Sequence, residues 1–184
     1  YRPILSYFMR RRFALVLALL HGKRAARMLE IGFGSGIFLP ELSRHCGVLY
    51  GIDVHDEVTT VQRRLREGGV QVNLSRQDAA DMSFADGFFN AVVAVSALEF
   101  IEDIEPAASE LARVLSPGGC VVAVMPGKSP LLDFLLHATT GEDAQSDYGN
   151  RRERVLPAML ANFEIRAKKR FMPIYTAYDF VRRD

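Results

Sequence analysis

The stretch Leu29-Glu30-Ile31-Gly32-Phe33-Gly34-Ser35-Gly36 constrains the fold of this 184-residue chain more than any other. An apolar run ends in three alternating glycines and a helical period follows. The backbone must therefore turn sharply out of a strand, at a place where no Cβ atoms obstruct a close approach. From Arg27 onward, short apolar runs alternate with segments of helical period. That rhythm marks βα units and a parallel sheet, with the glycine turn at the carboxyl edge where α/β sheets bind ligands.

The first strand reads as residues 27–31. A helix over about 38–46 follows, then a strand over 48–52, a helix with Val58, Val61 and Leu65 on one face closed by Gly68 and Gly69, and a third strand over 70–75. Residues 88–95 lack polar alternation and follow the turn residues Asp86 and Gly87, which predicts a central strand buried on both faces. The helix after Asp103 places Ile104, Ala107, Ala108, Leu111 and Leu115 on its apolar face and has Pro106 in its first turn. It should stop at Ser116-Pro117-Gly118-Gly119, ahead of a fifth strand over 120–125. Beyond Pro126 the rhythm loosens into a short helix over 131–137 and a polar, turn-rich 139–150, read as a loop or lid. A helix over 151–161, despite Pro157, leads to strands over 163–171 and 174–181, close enough in sequence to pair as an antiparallel hairpin.

Length and composition, 49% hydrophobic and 24% charged, fit one globular domain rather than a disordered chain or a disulfide scaffold. We divide it into a helical cover (1–26), a ligand-binding core (27–125), a lid or substrate loop (126–150) and a closing helix and hairpin (151–184). The formal charge of +1 conceals a polarity, because residues 1–30 carry +6, residues 41–110 carry −8 and residues 150–184 carry +5. A continuous basic face would suit nucleic acid or anionic lipid, whereas short arginine clusters otherwise serve as solvated surface. The apolar run 13–20 is too short for a transmembrane helix. Although Arg10, Arg11 and Arg12 precede it as in a signal peptide, no small-residue cleavage site follows, so it reads as a helix packed on the domain. Two cysteines, Cys46 and Cys120, suit a reducing compartment and hence a cytoplasmic location.

The glycines follow a G-x-G-x-G register. A dinucleotide fingerprint would need a third glycine at position 37, which is Ile37. Asp53, at the end of the second strand, can accept hydrogen bonds from both hydroxyls of a ribose. Gln77-Asp78-Ala79, after the third strand, adds a carboxylate able to take an adenine amino group. Three strand ends thus agree on adenosine.

These residues resemble the class I S-adenosylmethionine-dependent methyltransferases, in particular the small-molecule enzymes with a single-domain core. The resemblance covers about residues 27–125 and rests on the segments 30–36, Gly51-Ile52-Asp53, Gln77-Asp78-Ala79, 89–93 leading into Ser96-Ala97-Leu98-Glu99, and 113–119. It implies an α/β fold, a Rossmann-like doubly wound seven-stranded sheet of order 3-2-1-4-5-7-6 with strand 7 antiparallel, which the hairpin inferred above fits independently. It also implies S-adenosylmethionine as cofactor and S-adenosylhomocysteine as product. On this pattern Glu30, Gly32 and Gly34 border the methionine moiety, Asp53 holds the ribose and Val54 packs on adenine. Asp78 and the Ala79 amide read the adenine edge, while Ser96 and Ala97 lie beside the methionine amino end and the transferred methyl. At Phe100 many relatives place a histidine, so that histidine's role does not transfer to this chain.

The fourth strand does not run into an Asn/Asp-Pro-Pro-aromatic loop and no Pro-Cys pair is present, so DNA is not an expected substrate. The four histidines show no zinc-ligand spacing, and no metal is expected. Methyl transfer to oxygen profits from a base. Glu99, after the fourth strand, is the candidate in the core, and His137, in the lid, is its rival. The aromatic and apolar N-terminal segment suits an apolar or lipid-like small-molecule acceptor. Two alternatives stand beside the enzyme: a catalytically silent methyltransferase-like cofactor-binding or scaffold subunit, and a nicotinamide-dependent oxidoreductase, which Ile37 and the hairpin disfavour.

Overall fold

The computed structural model describes residues 2–20, 22, 24–127, 144–171 and 174–183. Its elements are α1 (Arg2–Leu20), β1 (Ala25–Ile31), α2 (Leu39–Leu42), β2 (Cys46–Asp53), α3 (Val58–Glu67), β3 (Asn73–Arg76), β4 (Phe89–Val95), α4 (Ile104–Val114), β5 (Leu115–Pro126), α5 (Ala144–Asn162), β6 (Phe163–Phe171) and β7 (Tyr175–Arg182). Short 3₁₀ turns occupy Ser43–His45 and Leu98–Phe100. The strands form one seven-stranded sheet of order β3-β2-β1-β4-β5-β7-β6. Pairing is parallel from β3 through β5, and β7 runs antiparallel to both β5 and β6. The expected order and the expected hairpin are both present.

Burial on both faces explains why β4 reads as an uninterrupted apolar run. Val92 and Ala94 join Leu29, Leu111, Met159 and Phe180 in one core, under α4 and α5. Ala91 and Val93 join Val16, Leu19, Met28 and Val122 in the other, under α1, α2 and α3. Helix α1 crosses β5, β6 and β7, with Val16, Leu19 and Leu20 buried. It is thus the packed helix expected of residues 13–20. Among the described residues no helix is long and apolar enough to cross a membrane.

Several boundaries differ from the sequence reading: β1 begins at Ala25 rather than residue 27, the helix expected over about 38–46 is α2 followed by a 3₁₀ turn, and β2 begins at Cys46 rather than residue 48. The third strand begins at Asn73 rather than residue 70, because Val70 N–H donates to Leu65 O (2.8 Å) and closes α3 instead. Helix α4 passes directly into β5 at Leu115, and the Ser116–Gly119 segment is an irregularity inside the strand rather than a stop before it. Phe89 pairs with Leu115 but Ala91 with Cys120, so the extra residues bulge out of the ladder. Finally, α5 starts at Ala144, so the end of the expected 126–150 loop is helix and its first residue, Pro126, closes β5. The short helix expected over 131–137 lies outside the described residues.

Arg113 secures the edge opposite the glycine turn. Its guanidinium donates to Met82 O (2.8 Å), Phe84 O (2.6 Å), Asp86 Oδ1 (2.8 Å) and the Glu110 carboxylate. The pinned loop delivers Phe84 against Tyr50, Phe88 and Phe89. Phe89 is fully buried at the centre of this ring cluster. Phe89→Ala should therefore lower the unfolding free energy by about 3 to 5 kcal/mol, read as a drop in the urea midpoint.

Candidate functional site

The carboxyl ends of β1, β2, β3 and β4 converge on a cavity of about 450 Å³. Its lining includes Gly32, Asp53, Val54, Asp78, Ala79, Ser96 and Ala97, seven of the nine residues singled out from the sequence for cofactor binding. Gln77 and Phe100 also line it, and Ile101, Glu102 and Asp103 complete its wall. Glu30 and Gly34 stand outside this lining.

One carboxylate organises the floor. Asp53 Oδ2 accepts from Gly34 N–H (2.8 Å), and Oδ1 accepts from Val54 N–H (2.8 Å) and His55 N–H (3.4 Å). His55 closes the knot from the other side, donating through Nε2 to Gly34 O (3.0 Å) while its Nδ1 accepts from Glu57 N–H (3.1 Å). Sequence reading weighed His55 only as a metal ligand. Its position two residues after Asp53 was the available signal for this bracing role.

The glycines behave as their spacing requires. Gly32 (φ +70°) and Gly34 (φ +52°) occupy left-handed backbone, and Gly32 N–H donates to Ile52 O (2.9 Å), tying the turn to β2. A Cβ on Gly32 would lie 2.6 Å from the Ala97 Cβ, whereas one on Gly34 would meet nothing within 4 Å. Gly34 thus keeps open a space that no protein atom fills.

Ser96, just after β4, is a non-glycine residue at φ +50°, and its buried hydroxyl has no hydrogen-bond partner. The Glu30 carboxylate is 3% exposed and its Oε2 is equally unmatched. Burial first, and the nearby Asp53 charge second, hold Glu30 well above the usual carboxylate range. Val54 stands 62% exposed beside the cavity. Asp78 is exposed, with Oδ1 accepting from Ala80 N–H (2.9 Å). Gln77 Oε1 accepts from Ser83 N–H (2.8 Å), which fixes the loop carrying Asp78 and Ala79.

Glu99 sits in the Leu98–Phe100 turn, 2% exposed, with Oε2 unmatched. Burial pushes its carboxyl up to about 7, against the pull of its own backbone amide and of the Arg152 and Arg12 guanidiniums. Arg12 comes from α1 and lies over the Tyr175 ring, 5.5 Å from its centroid, and Arg152 comes from α5. Burial likewise raises the Tyr175 phenol, with Arg12 opposing and Glu99 adding to the shift. Sequence reading found Glu99 but none of these three neighbours, since each arrives from a distant element. The rival base, His137, lies outside the described residues.

The chain is similar to known proteins in sequence and in fold. Residues 29–123 match the family model described as a methyltransferase domain. Phosphatidylethanolamine N-methyltransferase from Cereibacter sphaeroides is 36% identical over 104 residues, 55% of this chain and 51% of that protein. Demethylmenaquinone methyltransferase from Thermus thermophilus is 35% identical over 118 residues, 62% of this chain and 52% of that protein. The chain spans about half the length of these relatives. In fold it is similar to the N-methyltransferase NodS from Bradyrhizobium japonicum, solved with S-adenosyl-L-homocysteine, at TM-score 0.73 and 20% identity over 96% of this chain and 88% of that one. It is also similar to the PH0226 protein from Pyrococcus horikoshii, at TM-score 0.77 and 18% identity over 95% and 91% of the two chains.

The buried Glu99 yields a stability test that needs no ligand. A carboxyl raised in the folded state contributes stability below its unfolded pKa and loses it as pH rises through about 7. Glu99→Gln lacks that titration. Relative to wild type it should gain on the order of 3 kcal/mol between about pH 4 and pH 8, measured by urea unfolding at each pH.

Proposed function

The chain belongs to the methyltransferase-domain family, and from that premise we propose that it binds S-adenosylmethionine in the 450 Å³ cavity and passes the methyl group to a small-molecule acceptor of apolar or lipid-like character. The observation that carries this reading is the knot between Gly34 and Asp53, a braced glycine turn beside an open cavity lined by Ser96 with its unmatched hydroxyl.

The chain's residues suit the cofactor. Glu30 Oε2 and Ser96 Oγ lack partners, and an ammonium group with its donors would supply them at the methionine end. Asp53 spends three backbone N–H bonds on its own loop, and the remaining acceptor capacity of a carboxylate serves the ribose hydroxyls. Val54 offers its exposed side chain to the adenine face. Asp78 and the Ala79 amide address the adenine edge, and Gly32 and Ala97 press close where bulkier groups would crowd the methyl.

The cofactor contributes a methyl group already activated on a sulfonium. The protein's task is then to align the acceptor with that methyl and to exclude water, and positioning of this kind is worth several kcal/mol. Glu99 is the acceptor-side group that can hold a proton, since its carboxyl sits near neutrality and so can exchange one at physiological pH. The acceptor class draws support from the two relatives, one named for phosphatidylethanolamine and one for demethylmenaquinone, both lipid-like molecules.

S-Adenosylhomocysteine at 100 times its dissociation constant should add about 2.7 kcal/mol to native stability, seen as a rise in melting temperature. Gly34→Val, whose branched side chain would fill the open space, should abolish that rise while the protein stays folded. Asp53→Ala should weaken it strongly, and an unchanged affinity in isothermal titration would remove Asp53 from the site. With an oxygen acceptor, Glu99→Gln should reduce turnover by about 10² or more at unchanged cofactor affinity. The rate should fall as pH drops below about 7 in wild type, and that limb should vanish in the variant.

A further inference from the structure

The outer face formed by α1 and β6 has a composition that neither the cores nor the cavity lining uses. Helix α1 contains no acidic residue, and Arg10 and Arg11 are exposed on it. Strand β6 closes the sheet as its outer edge and exposes Lys168, Lys169 and Arg170 in succession. The acids of this region are few. Glu164 begins β6, and Asp179 of β7 is fully buried and paired with Arg166 at 2.8 Å.

Lysines on an edge strand discourage edge-to-edge pairing, and charge alone would need no other explanation. The aromatic side chains among them do. Tyr7 (46% exposed), Phe8 and Phe171 form a mutual cluster with centroid separations of 5.7, 6.1 and 6.5 Å. The Arg11 guanidinium lies over both Tyr7 (5.0 Å) and Phe171 (5.3 Å). Half-exposed rings interleaved with cations match the headgroup layer of a bilayer, where rings reach the acyl boundary and long basic side chains reach phosphates.

We propose that the Tyr7–Arg11 end of α1 and the Lys168–Phe171 end of β6 form a docking surface for an anionic lipid bilayer. The surface is continuous with the acceptor side of the site. Phe171 pairs with Tyr175 across the hairpin, Arg12 covers the Tyr175 ring, and the nearby Glu99 charge adds to the rise of the Tyr175 phenol. Docking stands on the surface alone. That it presents a membrane-borne acceptor to the methyl rests on the methyl-transfer reading above. A nucleic acid would answer the cations equally well but gives the half-exposed ring cluster no apolar phase to enter.

Cosedimentation of the 184-residue chain with vesicles of phosphatidylcholine alone, and of phosphatidylcholine with about one third phosphatidylglycerol, tests the proposal. Binding should be at least tenfold tighter to the anionic vesicles and should weaken with added salt. Each exposed cation near such a surface contributes about fivefold, so Lys168→Glu, Lys169→Glu and Arg170→Glu together should reduce binding on the order of a hundredfold. All three are solvent-facing, and an unchanged melting temperature checks the fold. Tyr7→Ser should weaken binding several-fold at unchanged salt dependence. Equal binding to both vesicles, no binding, or tighter binding to a labelled duplex DNA in the same buffer would overturn the proposal. Because vesicle binding is read without cofactor, its failure is distinct from a failure of S-adenosylhomocysteine to stabilise the protein.

Discussion

The 2.8 Å hydrogen bond from Gly34 N–H to the Asp53 carboxylate, with that from Gly32 N–H to Ile52 O, holds together two strand ends whose ladder pairing stops at Ile31 and Ile52. A glycine turn with three left-handed residues has many conformations open to it when unfolded, and fixing one is entropically costly. Here the cost is offset locally. Asp53 takes three backbone N–H groups, His55 takes the Gly34 carbonyl, and the Phe33 ring packs edge-on against His55 at 5.1 Å. The turn is consequently preorganised by the protein's own atoms, and a ligand meets it ready-made.

Preorganisation has a counterpart in the buried acids. Glu30 and Glu99 sit at the carboxyl ends of neighbouring central strands, each nearly inaccessible and each with one unmatched oxygen. Leaving such an oxygen unsatisfied costs about 1 to 3 kcal/mol, more when it is charged. A fold whose β1 and β4 are otherwise sealed in two apolar cores gains nothing from that arrangement, so the two carboxyls are explained by what they face rather than by what they support. Glu30 lies near Asp53, and Glu99 near Arg12, Arg152 and Tyr175.

The legible part of this protein is the part built from short-range pattern. β4 was readable because burial on both faces removes polar alternation, and the β6–β7 pair because the intervening turn is too short for a crossover helix. The misplaced boundaries fall at residues of ambiguous local preference. Leu115 completes the apolar face of α4 in sequence, yet pairs with Phe89 in the sheet. Residues 144–150 are polar and turn-rich, yet extend α5. At the site, residues that follow a strand by one to three positions were found, since topology alone puts them at the carboxyl edge. Arg12 and Tyr175 were not, because nothing local distinguishes an arginine that will cover a ring 163 positions away.

That division follows a structural boundary. The residues assigned to the cofactor all lie within the matched 29–123 segment, and so does Glu99. The groups around Glu99 all come from outside it, Arg12 from α1, Arg152 from α5 and Tyr175 from β7. Helix α1 shows how the two regions are coupled. Its C-terminal half is anchored in the core through Val16, Leu19 and Leu20, while its N-terminal half carries Arg11 and Arg12 over the aromatic rings of the hairpin. A core-packed helix end thus sets the position of Arg12 beside the outer strands. The lining of the cavity is therefore written in the matched segment, and the charged surroundings of Glu99 in α1, α5 and β7.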